Sequence, residues 1–172
     1  AMRKQRYDEK IVHALASLLR ADGRIEDLVR VYGRAAAQAP SVEQKRAYLR
    51  SVARVAADLI ADDDAALELL ERAADASDRD PEVMLRLAER CRRVGDDLSE
   101  LGAMQAAVAN ADGAVAPTTL VRLAELELAR PRGASAAADL LARALDTESL
   151  PADVDQSIGR ILPRIAGVAG RP

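Results

Sequence analysis

Apolar residues recur along this chain at spacings of three and four, the period of a helix that buries one face. The clearest stretch is 12–40. Val12, Leu15, Ala16 and Leu19 form one stripe, and Leu28, Tyr32 and Ala35 form a second that faces it. Asp22-Gly23 lies between them, where a glycine can take the left-handed conformation that ends a helix. Pro40 stops the second helix, because proline has no N–H to continue the ladder. Such a pair cannot bury its outer faces alone and needs another pair stacked against it.

The same punctuation continues to the end of the chain and predicts nine helices. The first two span 8–21 and 25–38. Ser41, with Gln44 three residues on, reads as a capping box for a third helix reaching about residue 60. Asp62-Asp63-Asp64 caps a fourth that ends at 76, and acidic residues also suit the positive end of a helix. Asp80-Pro81 opens the fifth, which Gly95 ends, and Asp96 or Asp97 caps a sixth reaching 110. The seventh runs from Pro117 to 130, Pro131-Arg132-Gly133 breaks the chain, and the eighth spans 135–145. Pro151 opens the ninth, in which Val154, Ile158, Ile161, Leu162 and Ile165 keep the helical spacing and Pro163 is expected to kink the axis. The expected organisation is a basic lead-in at 1–7, an array at 8–150, a terminal helix at 151–168 and a loose tail at 169–172. Ala1 before Met2 reads as an appended residue, so the chain is expected to be a piece of something longer.

The odd-numbered helices begin near residues 8, 42, 81, 117 and 151, so successive starts lie 34, 39, 36 and 34 residues apart. A short, regular period of helix pairs marks a repeat architecture. The residues within each period resemble the tetratricopeptide (TPR) pattern. The first repeat reads Val12, Leu15-Ala16, Leu19, Leu28, Tyr32, Ala35 and Pro40; the second reads Leu49, Val52-Ala53, Ala56, Ala66, Leu70 and Ala73. The third reads Met84, Leu87-Ala88, Cys91, Gly95, Leu101, Met104 and Val108, and the fourth Leu120, Leu123-Ala124, Ala137, Leu141, Ala144 and Pro151. Ala16, Ala53, Ala88 and Ala124 would let one helix approach the next closely. The pattern departs from the family in its missing aromatics, the Leu98–Leu101 turn and the linker before Pro117. Other helical-pair solenoids share its logic. The resemblance implies an all-α, right-handed solenoid of about four helix pairs plus a C-terminal helix. It places Leu15, Tyr32, Leu70, Leu87, Leu123 and Leu141 between pairs.

Composition agrees with helix. Of the 172 residues 49% are hydrophobic, but 37 are alanine and only 2% are aromatic, so the core has little volume per residue and backbones must come close. Alanine has the strongest helix propensity, and strand-like alternation is absent. Cys91 is the only cysteine, which excludes an internal disulfide and fits a reducing, cytoplasmic setting. No apolar run approaches the roughly 20 residues of a membrane span, so no membrane partner is expected.

Candidates for chemistry are few. His13 is the only histidine and reads as a surface imidazole, with no ligand-spaced partner in its helix. Cys91 falls on the apolar stripe of the fifth helix and reads as a small core residue; beside Arg92 and Arg93, the competing reading is a redox-sensitive thiol. The aspartate run lacks the alternation and glycine of a calcium loop, and no phosphate loop or nucleophile motif is present. Neither enzymatic activity nor a cofactor or metal is expected.

Surface charge carries the functional expectation. In the family, the first helix of each pair lines a concave face that binds extended peptides or partner helices. By that register the face holds Lys10, His13, Ser17 and Arg20, then Arg50, Ser51, Arg54 and Asp58. Next come Glu82, Arg86, Glu89, Arg92 and Arg93, and finally Val121, Arg122 and Glu125. Eight positive and four negative charges make the face +4, and since the chain is −3 the remainder sums to −7. Arginines outnumber lysines 22 to three, and a guanidinium makes planar bidentate contacts to carboxylates. The expected role is a non-enzymatic scaffold that binds an acidic or amphipathic protein segment. A pI near 5.3 and the absence of Phe and Trp argue against nucleic acid. The competing role is a structural spacer or self-associating segment of a larger solenoid, which leaves homo-oligomers open. The same arginines would then be solvated, or paired with acids of neighbouring helices.

Overall fold

Local signals place most helix ends. The computed structural model describes residues 9–147 and 150–169, and among these there are nine helices and no strand. They are α1 (Glu9–Ala21), α2 (Ile25–Gln38), α3 (Val42–Leu59), α4 (Asp63–Ala76), α5 (Pro81–Val94), α6 (Asp97–Ala109), α7 (Pro117–Leu128), α8 (Ala134–Leu145) and α9 (Ala152–Ala169). The lead-in at 1–7 and the last three residues lie outside the described residues.

Each expected cap has a physical counterpart. Ser41 Oγ accepts the Gln44 amide at 3.2 Å and Asp62 Oδ1 accepts the Ala65 amide at 2.8 Å. Asp80 accepts from the Glu82 and Val83 amides, while Pro81 fills the first turn, where its missing N–H costs nothing. Asp96 accepts the Ser99 amide at 3.0 Å. Gly23 and Gly95 take φ of +69° and +79°, and end α1 and α5 as expected. Some boundaries differ: α6 ends at Ala109 rather than 110, α7 ends at Leu128 rather than 130, α8 starts one residue early at Ala134, and α9 starts one residue late at Ala152. The helix assignment continues through Pro163, and α9 includes Ala169, one residue beyond the expected boundary.

Consecutive helices pack against one another from α1 to α9. In addition α3 lies against α5, and α7 against α9. Among the described residues α1 does not reach α3 by backbone approach, nor α5 reach α7. One apolar core runs from Val52 to Ile161, and two smaller clusters join α1 and α2 to α3 through Val12, Tyr48 and Leu49, and through Ala16, Leu28 and Val55. Ala16, Ala53, Ala88 and Ala124 are all buried, so the close-packing positions fall where the pattern puts them.

Three of the six expected pair-bridging residues, Leu70, Leu123 and Leu141, are buried, while Tyr32 and Leu87 are half-buried. Leu15 is a correction: it is 40% exposed. The buried stripe of α1 is Val12, Ala16 and Leu19, and Leu15 points outward with Ile11 and Leu18. Among the described residues α1 packs its backbone only against α2, so a single narrow stripe is covered. Leu162 is likewise outward, whereas Val154, Ile158 and Ile161 are buried.

Burial sets a stability contrast. Leu70→Ala should cost about 2–5 kcal/mol, because a fully buried side chain leaves a cavity. Leu15→Ala should cost about 1 kcal/mol or less, since much of the side chain already meets water. Urea unfolding of the two variants checks the contrast, and equal losses would contradict the packing described.

Candidate functional site

The loop that joins α4 to α5 organises a densely charged surface. Ser77 is buried and its hydroxyl donates to the Ala74 carbonyl, while the Asp80 amide donates to Ser77 Oγ. Asp78 and Arg79 follow one another in the left-handed region at φ +56° and +57°, an arrangement that costs side-chain-bearing residues free energy. The Arg79 amide bonds Ala74 O at 2.8 Å, and Asn110 Nδ2 donates to Arg79 O at 3.2 Å. These contacts fix Asp80, whose side chain is only 1% exposed.

Asp80 reaches beyond its capping role. Arg50 of α3 donates to it bidentately, from Nε at 2.9 and 3.1 Å and from a terminal nitrogen at 2.7 Å. Burial alone would push the Asp80 carboxyl up, but the Arg50 hydrogen bonds and charge, with two backbone amides, hold it below its ordinary value. The same hydrogen bonds raise Arg50 above the usual arginine value. A depressed carboxylate contributes stability that is present above its unfolded pKa, near 3.9, and is lost as pH falls through the lower folded value. The melting temperature of Asp80→Asn should therefore lie below wild type at pH 7. The gap should narrow as the pH is lowered below about 4. A gap that stays constant to pH 3 would contradict the pairing.

Next to this pair, α3 and α5 run in the same direction with their charges in register. Glu82 stands 3.7 Å from Arg50, 3.3 Å from Arg54 and 3.9 Å from Arg86. Asp58 stands 3.5 Å from Arg86. A cleft of about 300 Å³ continues the row, lined by Ala57, Asp58, Arg86, Glu89, Arg90 and Arg93. Another of about 610 Å³ lies between Arg46, Arg50, the 78–82 loop and residues 109–112.

The structure brings only part of the expected face together. Arg50, Arg54 and Arg86 converge, and Arg93 lies further along α5, 3.6 Å from Asp63. Arg92 pairs with Glu89 at 3.8 Å within one turn. Arg122 is bound to Glu100 of α6 at 2.8 and 2.7 Å and to Glu125 at 3.2 Å, with its pKa raised chiefly by Glu100. Lys10, His13, Ser17 and Arg20 are exposed on α1, whose backbone does not come close to α3 although Val12 and Ala16 pack in clusters with α3 side chains. Glu9, one turn earlier, lies 3.6 Å from His13, which corrects the reading of an imidazole with no ligand-spaced partner in its helix. Ser17 donates to the His13 carbonyl. Val121 is buried rather than surface-lining. Acids of other helices and their caps thus engage Arg50, Arg54, Arg86, Arg93 and Arg122, while Arg92 is paired within its own helix.

Three charged residues are buried without having been expected there. Arg90 is the largest fully buried side chain. Its guanidinium donates to the carbonyls of Ala57, Ile60 and Asp62 at 3.3, 2.9 and 3.1 Å, and Nε lies 2.7 Å from Asp63 Oδ1. Glu100 accepts from Arg122, and Glu127 accepts from Gln105 and Arg130. All three occupy helical stripe positions, so a charge falling at an apolar spacing was the available signal.

Cys91 is buried, and burial together with Asp96, Glu71 and Glu100 pushes its thiol up to about 11, which suits a core residue rather than a redox-sensitive one. Among the described residues no group of three or more His, Cys, Asp or Glu is placed to hold a metal ion, and no helix is long and apolar enough to cross a membrane. No family model matches the chain, and no curated protein or solved structure matches it either.

Proposed function

We propose that this chain is a TPR-like solenoid of about four helix pairs plus a terminal helix, serving as a non-enzymatic scaffold that binds an acidic segment of a protein partner. The solenoid reading rests on the near-constant period of helix pairs and on the parallel side-by-side placement of α3 and α5, the first helices of consecutive pairs. The binding reading rests on one observation: Arg50, Arg54 and Arg86 converge from those two helices on one surface, with side chains 42%, 50% and 26% exposed. Exposed ion pairs contribute only about 0–1 kcal/mol each, so Glu82 and Asp58, which face Arg54 and Arg86, are weak competitors for an incoming acidic chain, whereas the buried Asp80 keeps its hold on Arg50. Bidentate geometry then favours carboxylates over other acceptors.

The test is selection of partners from a displayed peptide library, carried out with wild type and with the double variant Arg54→Gln, Arg86→Gln. Wild type should enrich acidic segments, and their retention should fall as salt rises and screening shortens to about 8 Å at physiological ionic strength. The double variant should lose them while melting at a similar temperature. If both proteins enrich the same peptides, the arginines are solvated surface only. A second reading, self-association through the array's first helix, is favoured by the outward row of Ile11, Leu15 and Leu18; sedimentation of the wild type tests it.

A further inference from the structure

Asp80 and Glu82 lie two residues apart and both face Arg50, yet they hold it in different ways. Asp80 is almost fully buried and takes Arg50 bidentately at 2.7 to 3.1 Å, with two backbone amides completing its shell. That is a fixed structural pair. Glu82 is 39% exposed and is shared among three guanidiniums at 3.3, 3.7 and 3.9 Å. Only the Arg54 contact is a hydrogen bond, and none is bidentate. Arg86 Nε is buried and has no hydrogen-bond partner among the described residues. Three cations therefore surround one loosely held carboxylate, and at least one donor in the cluster goes unused.

We infer that Glu82 occupies the position of a partner's carboxylate: it is an internal placeholder that keeps Arg50, Arg54 and Arg86 apart and oriented, and that an acidic peptide displaces. This rests on the proposed inner-face binding and adds a mechanism of selectivity to it. Asp80 already holds Arg50 and Asp58 faces Arg86; Glu82 adds a carboxylate that meets all three guanidiniums, whose like charges repel at close range. With Glu82 present the unliganded face is held together. A ligand must offer a better carboxylate geometry than Glu82 does, so sparse single acids are rejected and dense acidic segments accepted. No such competition arises at Arg122, whose two contacts with the buried Glu100 are short.

Calorimetric titration with an acetylated, amidated hexaglutamate peptide at low salt tests this. Glu82→Gln removes the competing charge while keeping the shape, and should bind the peptide about threefold or more tighter than wild type. Glu89→Gln is the control. It lies on the same helix and changes net charge equally, but Glu89 contacts Arg92 rather than the three-arginine cluster, so its gain should be much smaller. Equal gains in the two variants would reduce the effect to net charge and overturn the placeholder. Unchanged or weaker binding by Glu82→Gln would overturn it as well, while leaving the inner-face reading intact if Arg54→Gln, Arg86→Gln still loses affinity. If that double variant binds as wild type does, or if wild type and Glu82→Gln both fail to bind, the inner-face reading falls and the placeholder with it.

Discussion

Replacing Arg90 by alanine should cost about 3–5 kcal/mol of folding stability, the loss expected when a buried charged group that satisfies several carbonyls is removed. The side chain is 1% exposed and spans three elements. Its terminal nitrogens donate to the carbonyl of Ala57, orphaned in the last turn of α3, and to those of Ile60 and Asp62 in the turn beyond. Its Nε faces Asp63 at the start of α4. One residue of α5 thus closes the α3–α4 turn. Arg90→Met separates the contributions: it restores most of the buried volume but none of the donors, and should fall between wild type and alanine. Arg90→Lys should recover only part, because one ammonium cannot reproduce a planar fork. Urea unfolding measures all three. A loss below about 1 kcal/mol for alanine would mean that water reaches those carbonyls freely.

The second large effect is steric. Gly133→Ala should destabilise the α7–α8 pair by at least about 3 kcal/mol, since overpacking against backbone cannot be relieved by a rotamer change. A Cβ at Gly133 would stand 1.7 Å from the Glu127 carbonyl oxygen and 2.6 Å from its carbon. The residue has φ of −75°, so left-handed freedom is not what it supplies; close approach is. Arg132, the preceding residue, takes φ of +67° and brings the chain back onto α7. Gly102→Ala is the comparison, because nothing lies within 4 Å of a Cβ there and the helix should gain or stay neutral. Thermal melting of both variants should separate them widely, and similar melting temperatures would contradict the close turn.

Helix positions were legible because they depend on local chemistry. Ser41, Asp62, Asp80 and Asp96 each accept an amide two or three residues on, and such short-range contacts leave a sequence signature. Burial of the alanines was legible for the same reason, through the helical period. The face of α1 was not, because the choice between Leu15 and its neighbours depends on how many helices cover it. Charge clustering on α3 and α5 was visible as a list of arginines, but its compensation was not. Asp80 was readable as a cap, whereas its hold on Arg50, 30 residues away, is a product of tertiary register. Arg90, Glu100 and Glu127 show the remaining signal: a charge at a stripe position can be buried when a partner helix supplies its counterpart.

The central claim is that α3 and α5 together present the binding face. Isotope-edited NMR of the whole chain, titrated with the hexaglutamate peptide, locates any contact residue by residue. Amide and guanidinium signals of Arg50, Arg54 and Arg86, with the amide of Glu82, should shift together and saturate together, and added salt should reverse the shifts. Shifts confined to α2 and α4, or scattered over every exposed arginine without saturation, would contradict the claim.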